Sequence, residues 1–503
     1  MKRFLTTLVT VLLLSMALTV AASASDFDAA AKDLSAIGMF RGTEAGFELD
    51  RAPTRSEAAI MLVRLYGAEE KAAADYKAGT ISHPFTDVSD FTAPYVAWLY
   101  TNGLTNGTSA TTFGSASQCS LQQYVVFLLR ALGYEDGKDF AYADALTFAQ
   151  QKGFYDSVTF AGDFLRDDLA AVTYQALAAD VKDGSTYLLA SLVKSGAVDA
   201  EAAKPMTEKF EAYRALSAAS AGMDQTAMDA DVDMKVNMTM TMAGEKTDVA
   251  MTGTGNVKVI MDDKDLQMAY DMKTTVGEDS MDMGMWLKDG VMYQSTTMDG
   301  ETTSVKYPLN LEEQLAVLEN TASTQTAANV SGLAMIDSIT AKNSGSSTVY
   351  TVSMGSGMNA ALQGVMGLMN DESGMDLNSL DFQLGEVTAV YTVSGSGKLT
   401  KVQMEFSAAM DMDLGDGVTM AAAYDYNIGM KINATGKDVK ITYPDFSSFQ
   451  EVEIPAIEEK TVYVTETGKR YHYDNSCNGG TYYESTLEEA LERGLTPCEK
   501  CVL

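Results

Sequence analysis

The sequence predicts a multidomain protein with three parts. An all-α unit of helical repeats comes first, then a β-rich (α+β) domain on a curved antiparallel sheet, then a small module stapled by metal. Three observations carry this. A helix–loop–helix pattern recurs three times before residue 197. Apolar residues then change from helical spacing to strict alternation between residues 206 and 450. Residues 461–503 gather three of the four cysteines and one of the two histidines.

Bulk properties bound the function. A chain of 503 residues exceeds one ordinary domain, and 46% hydrophobic content is enough for real cores. The formal charge is −33, from 69 acidic and 36 basic residues. That argues against a nucleic-acid binder, which needs a basic face. It suits a soluble surface protein kept apart from its neighbours by charge.

The N-terminus sets the expected compartment. Lys2 and Arg3 precede an apolar run from Phe4 to Val20, and Ala22-Ser23-Ala24 supplies small residues for cleavage. Residues 1–24 therefore read as a signal peptide. A membrane anchor is the alternative, but the run is at the lower limit for spanning. No transmembrane segment is expected after its removal. No cysteine near the cleavage point offers an acyl anchor. An exported chain that stays on the cell then needs another device.

The repeats occupy residues 26–67, 85–134 and 138–197. The second is clearest: Phe85-Thr86-Asp87-Val88, Ala93-Pro94-Tyr95-Val96-Ala97-Trp98, Asn102-Gly103-Leu104-Thr105-Asn106-Gly107, Phe113, and a helix ending Leu132-Gly133. The first shows Gly38-Met39-Phe40-Arg41-Gly42, Phe47, Thr54-Arg55-Ser56-Glu57 and a helix ending Tyr66-Gly67. Aligning the helix ends sets Leu121 opposite Arg55. The third is looser: Phe140 to Asp144, Lys152-Gly153-Phe154, then Phe164-Leu165-Arg166-Asp167-Asp168. Ala58, Met61, Leu62 and Leu65 keep the spacing of one buried helix face. Thr54-x-x-Glu57 and Ser120-x-x-Gln123 are capping boxes.

The F-x-D-V opening, the N-G-x-x-x-G loop and the T-R-x-E helix start resemble, in order and spacing, the S-layer homology (SLH) family. The resemblance implies a pseudo-threefold unit that binds pyruvylated secondary cell-wall polysaccharide without a covalent bond. It implies a location on the bacterial cell wall. It also assigns the ligand arginine to the second residue of T-R-x-E: Arg55 in the first copy and Arg166 in the third. A guanidinium at a helix start suits a ketal carboxylate. Capping alone explains Thr54 and Glu57, and an arginine in a first turn can simply be solvated. Asp87 reads equally as a helix cap or a pocket residue. The second copy has Leu121 in the arginine's place and Phe91 where the family often has Trp, and the third lacks the N-G loop.

All methionines but Met1, Met16, Met39 and Met61 fall between residues 206 and 450. Met234, Val236, Met238, Met240 and Met242 alternate with Lys235, Asn237, Thr239 and Thr241. Met281, Met283 and Met285 repeat the pattern, as do Tyr350, Val352 and Met354; Val387, Ala389, Tyr391 and Val393; and Val402, Met404 and Phe406. Turns are expected at Asp289-Gly290, Asp299-Gly300 and Ser394-Gly395-Ser396-Gly397. Helices are expected at 206–220, 311–320 and 358–369. The order resembles the half-barrel of secreted lipid-carrier and lipoprotein-sorting proteins, without a specific motif. The methionines read as plain core, as an adaptable lining for an apolar ligand, or as thioether ligands for copper. No histidine lies in the segment, and the only ones in the chain are His83 and His472. A Ser–His hydrolase is therefore not expected here.

The tail, 461–503, opens with a strand at Thr461-Val462-Tyr463-Val464 and carries a capping box at Ser485-x-x-Glu488. His472, Cys477, Cys498 and Cys501 form a tetrahedral zinc-ligand set, one histidine with three thiolates. So small a unit needs a staple. The segment resembles a zinc-binding module at the ends of secreted bacterial proteins, itself similar to the metal-binding domain of the Ada DNA-repair protein. Oxidation to a disulfide is the alternative in an exported chain. Four protein ligands make the zinc structural. Cys119 reads as a buried or half-buried free thiol. The expectation overall is a non-catalytic wall-anchored surface protein. A surface carrier or sensor for a lipid-like molecule is the alternative.

Overall fold

The computed structural model describes residues 27–43, 46–155, 160, 163–224, 226–242, 245–262, 265–309, 332–355, 380–413, 419–452 and 461–500, the last without 466–467, 478–479, 487–488, 491–492, 494 and 499. The expected signal peptide, the helices at 311–320 and 358–369, and Cys501 lie outside the described residues.

The first unit is helical: α1 Asp28–Ala36, α2 Arg55–Leu65, α3 Glu69–Lys77, α4 Ala93–Thr101, α5 Leu121–Ala131, α6 Ala145–Gln151, α7 Arg166–Ala178, α8 Leu188–Ser195 and α9 Ala200–Ala221. Both expected capping boxes form. Thr54 Oγ1 accepts from Glu57 N–H at 3.2 Å, and Glu57 accepts from Thr54 N–H at 2.8 Å. Ser120 and Gln123 exchange the same bonds at 3.3 and 3.4 Å. Ala58, Met61, Leu62 and Leu65 are buried as their spacing requires. Helix α7 is buried almost all round and packs against α1, α5 and α8. It serves as the hub of this core.

Helix α9 joins the helical unit to the sheet. Its 22 residues extend about 33 Å. Asp199 caps its start by accepting from Ala202 N–H at 2.9 Å. Its first half sends Met206 and Phe210 into the repeat core, with Phe210 edge-on to Tyr174 at 4.9 Å. Lys209, buried here, pairs with Asp33 at 3.2 Å, and Asp33 also accepts from Tyr174 Oη at 2.7 Å. Its second half lays Leu216 and Ala219 on the apolar face of the sheet.

The sheet holds β1 Ala227–Met242, β2 Glu245–Asp262, β3 Asp265–Val276, β4 Asp279–Lys288, β5 Val291–Met298, β6 Glu301–Pro308, β7 Ser338–Ser344, β8 Ser347–Met354, β9 Leu380–Leu384, β10 Val387–Ser394, β11 Leu399–Asp413, β12 Thr419–Thr435 and β13 Gln450–Glu451. Its order is β13-β6-β5-β4-β3-β2-β1-β12-β11-β10-β8-β7, with β9 also on β11. Every pairing is antiparallel except that of β13 with β6. Register follows the alternation. Val232, Met234 and Val236 of β1 are buried while Asp233, Lys235 and Asn237 are exposed. Met283, Met285 and Leu287 continue the apolar face on β4. The Asp289-Gly290 and Asp299-Gly300 turns hold all four residues at positive φ, as tight hairpins demand. On the opposite face, Phe446 and Phe449 pack on Trp286 and Tyr293, with Phe446 stacked on Tyr293 at 3.7 Å and Tyr443 tilted against Phe446.

The tail is a separate four-stranded sheet: β14 Val462–Val464, β15 Arg470–His472, β16 Tyr483–Ser485 and β17 Thr496–Pro497, ordered β16-β14-β15-β17. Its buried apolar core among the described residues is Val462, Val464, Tyr471, Ala490 and Leu495. Glu488 lies outside the described residues. The cap seen is one residue later, where Thr486 Oγ1 accepts from Glu489 N–H at 3.1 Å.

Candidate functional site

Arg55 and Arg166 are not solvated. Each sits at the first position of its helix, yet only 7% and 5% of their surfaces are exposed. Each is clasped by an extended loop from another repeat. Arg55 N–H donates to Ser117 O at 3.0 Å, Ser56 N–H to Ser115 O at 3.3 Å, and Arg55 Nε–H to Phe113 O at 3.0 Å. Arg166 N–H donates to Arg51 O at 2.9 Å, Asp167 N–H to Leu49 O at 3.2 Å, and Arg166 Nε–H to Phe47 O at 3.0 Å. Helix-start N–H groups that would otherwise lack partners are thereby satisfied. The guanidiniums also lie over aromatic rings, Phe113 at 5.1 Å and Phe40 at 5.0 Å.

Each arginine then reaches the third residue of the neighbouring helix. Arg55 Nη1 donates to Gln123 Oε1 at 3.0 Å, and Arg166 Nη1 to Glu57 Oε1 at 2.8 Å. Glu57 also takes a fork from Arg51 at 2.6 and 3.1 Å. Burial alone would raise its carboxyl; hydrogen bonds from Arg51 and Thr54 and the charge of Arg166 outweigh that and hold it at about 2.

The relation runs from repeat one to two and from three to one. From two to three it is broken, because the first position of α5 is Leu121. The corresponding acid, Asp168, accepts from Leu165 N–H at 2.8 Å. Burial pushes its carboxyl up to about 6.

Asp87 caps no helix. Its carboxylate accepts from the N–H groups of Phe113, Gly114 and Ser115 at 2.7, 2.7 and 3.2 Å. It thus shapes the loop that clasps Arg55. Gly114 lies in the left-handed region at φ +81°, and a Cβ there would stand 3.3 Å from Arg55 Cδ. The sequence alone does not mark Gln123, Phe113, Ser115 and Arg51 as site residues. The signal was present: the offset that sets Leu121 opposite Arg55 also sets Phe113 opposite Phe47.

In the tail, His472, Cys477 and Cys498 come together. All three are buried, and their ligand atoms lie within 4.8 Å of one another. The two sulfurs are 3.8 Å apart, too far for a disulfide between them. Two thiolates about 2.3 Å from a tetrahedral ion lie about 3.8 Å apart, so this spacing fits a metal. Burial, then the charge of Arg470, pulls His472 below its usual value. A neutral imidazole is the form that ligates.

Cys119 is a buried free thiol, pushed up to about 12 by burial. On the apolar face of the middle sheet, Met234, Met272, Met283, Met285 and Met292 are buried. Tyr270 and Thr274 share that face, and their hydroxyls are buried without a hydrogen-bond partner.

Against this geometry, residues 84–123 match the S-layer homology domain. The matched span holds Asp87, the Phe113–Ser115 loop and Gln123. Such a domain indicates a bacterial cell-surface protein and implies anchoring to a cell-wall polymer. No curated protein matches the chain. Among solved structures, the ywiB protein from Bacillus subtilis is 7% identical, with 43% of this chain and 99% of that one covered at a TM-score of 0.13. A DUF1329 family protein from Desulfovibrio piger is 9% identical, covering 46% and 95% at 0.12. An outer membrane lipoprotein-sorting protein domain from Vibrio parahaemolyticus is 10% identical, covering 41% and 88% at 0.09. Those scores are too low to carry any inference. No helix among the described residues is long and apolar enough to cross a membrane.

Proposed function

We propose that this is a non-catalytic surface protein, exported by residues 1–24 and held non-covalently on pyruvylated secondary cell-wall polysaccharide. The observation that supports it best is the pair of buried, loop-clasped arginines at the repeat boundaries. A guanidinium fixed by Nε and Nη1 still has Nη2 donors to offer a ketal carboxylate, and its geometry is set before the ligand arrives. Arg55 is the polymer-binding residue on which this reading rests, with Arg166 the second candidate that the double replacement also removes. Asp87 serves the site through the loop it shapes. Zinc on His472, Cys477, Cys498 and Cys501 staples the tail; four protein ligands leave no position for catalysis. The test is retention of the full chain on immobilised, pyruvylated wall polymer. Retention of the wild type and its loss on Arg55→Ala plus Arg166→Ala is expected; equal retention of both overturns the proposal.

A second reading is favoured by Tyr270 and Thr274. Two hydroxyls buried without partners on a methionine-rich face are costly unless a ligand satisfies them. This reading makes the middle domain a carrier or sensor for an apolar molecule with a hydrogen-bonding head, on a half-barrel frame. Native mass spectrometry of the full chain tests it. Retained mass that is lost in Thr274→Val supports it, and a clean apo mass in repeated preparations refutes it.

A further inference from the structure

The two arginine clasps are built alike and charged differently. The offset that carries Phe47 to Phe113 also carries Glu48 to Gly114, Arg51 to Ser117 and Glu57 to Gln123. Around Arg166 the set is therefore closed. Glu57 bonds both Arg166 and Arg51, and Arg51 also bonds Glu48 at 3.4 Å. Two cations meet two anions.

Around Arg55 the corresponding positions are all neutral. Its guanidinium meets a backbone carbonyl and a side-chain amide, and makes no ion pair among the described residues. Asp87, the acid bonded to this loop, is engaged by three backbone N–H groups. Arg55 is nevertheless more than nine-tenths buried. A buried charge without a counter-ion is costly, and removing that cost is what an incoming anion gains. Arg55 Nη2 has no partner among the described residues. In the same loop, Ser115 Oγ is buried with no hydrogen-bond partner. Ser115 O already bonds the N–H of Ser56, the residue after Arg55. A cation and a hydroxyl, both short of an acceptor, thus sit at one boundary.

We infer that the boundary between repeats one and two is the anion-binding groove and that Gln123 selects it. A carboxylate-bearing saccharide accepts hydrogen bonds there from Arg55 Nη2 and Ser115 Oγ. Arg166 is neutralised within the fold and acts as a positioning residue that fastens repeat three to repeat one. This rests on the wall-anchoring reading above. It divides the work of the two arginines, which sequence alone treats as equivalent.

The discriminating change is Gln123→Glu. It keeps the capping box, since Glu57 serves the same role in α2. It also supplies Arg55 with the counter-ion that Arg166 already has. Binding of the full chain to isolated, pyruvylated wall polymer is measured by titration calorimetry, with hydrogen exchange of α5 and α7 as the folding check. Gln123→Glu and Arg55→Ala are each expected to weaken binding by about tenfold or more, with α5 protection unchanged or raised in Gln123→Glu. Arg166→Gln is expected to loosen α7 and to keep affinity within about threefold. Wild-type affinity in Gln123→Glu overturns this inference and leaves anchoring intact. So does loss of binding in Arg166→Gln with α7 protection unchanged. A wild type that fails to bind the pyruvylated polymer overturns the anchoring reading itself.

Discussion

Glu57 links repeats one and three through Arg166, and replacing it with Gln isolates its charge. The carboxylate takes hydrogen bonds from Arg51, Arg166 and the backbone of Thr54. Its folded value of about 2 against an ordinary 4.5 corresponds to roughly 3 kcal/mol of linked stability. The side chain is 27% exposed, so solvent screening reduces this to about 2 kcal/mol. The sign follows from the depressed value. The stabilisation is present above pH 4.5 and is lost as the pH falls toward 2. Hydrogen exchange read by mass spectrometry on the full chain is the assay. At pH 7 the amides of α2 and α7 in Glu57→Gln are expected to exchange about 30-fold faster than in the wild type. The difference should shrink toward pH 2, where the wild-type carboxyl is itself protonated. Equal protection of both helices at pH 7 would show that the Glu57 charge does not hold the repeats together.

Other consequences follow from the same geometry. Asp168 is raised by burial, so its ionisation costs stability as the pH rises from 3.8 to about 6. Asp168→Asn should stabilise the repeat unit by about 1–2 kcal/mol at pH 7 and leave it unchanged below pH 4; thermal melts at both pH values check this, and a gap of the same size at both argues against it. Cys119, raised by burial, should resist iodoacetamide at pH 8 until the chain is denatured; labelling of the native protein would show the thiol is accessible. Removing metal with a chelator should abolish amide protection in 461–503 and make Cys477 and Cys498 reactive. Unchanged protection after verified metal loss would mean the small core stands without its staple.

Much of the architecture was legible because single periods set it. Alternation on β1 and β4 placed the methionines on one face before any pairing was known, and the two Asp-Gly turns marked their hairpins. Helix starts were equally readable, since Thr54 and Ser120 cap within four residues. What sequence did not reveal was long-range. Nothing local shows that Arg55 donates to a carbonyl 58 positions away, or Arg166 to one 119 away. From sequence Asp87 reads equally as a cap or a pocket residue, because neither reading reaches beyond its own repeat turn, whereas its carboxylate ties a loop 26 positions away. The helix expected from residue 206 begins at Ala200, through Pro205, because Asp199 caps it and the repeat core covers its first turns. The charge asymmetry between the clasps needed both the internal offset and the contacts, since Gln123 is unremarkable until Arg55 is seen to reach it. The convergence of His472, Cys477 and Cys498 was readable from spacing, because few side chain types ligate a metal and these three come close enough together to hold one.

Wall anchoring as proposed has the repeats hold the protein to an acidic polymer through a carboxylate. Co-sedimentation of the full chain with purified cell walls, before and after mild acid removal of the pyruvyl ketals, tests it most directly. The protein is expected to pellet with intact walls and to stay in solution with depyruvylated ones. Equal pelleting with both would contradict it.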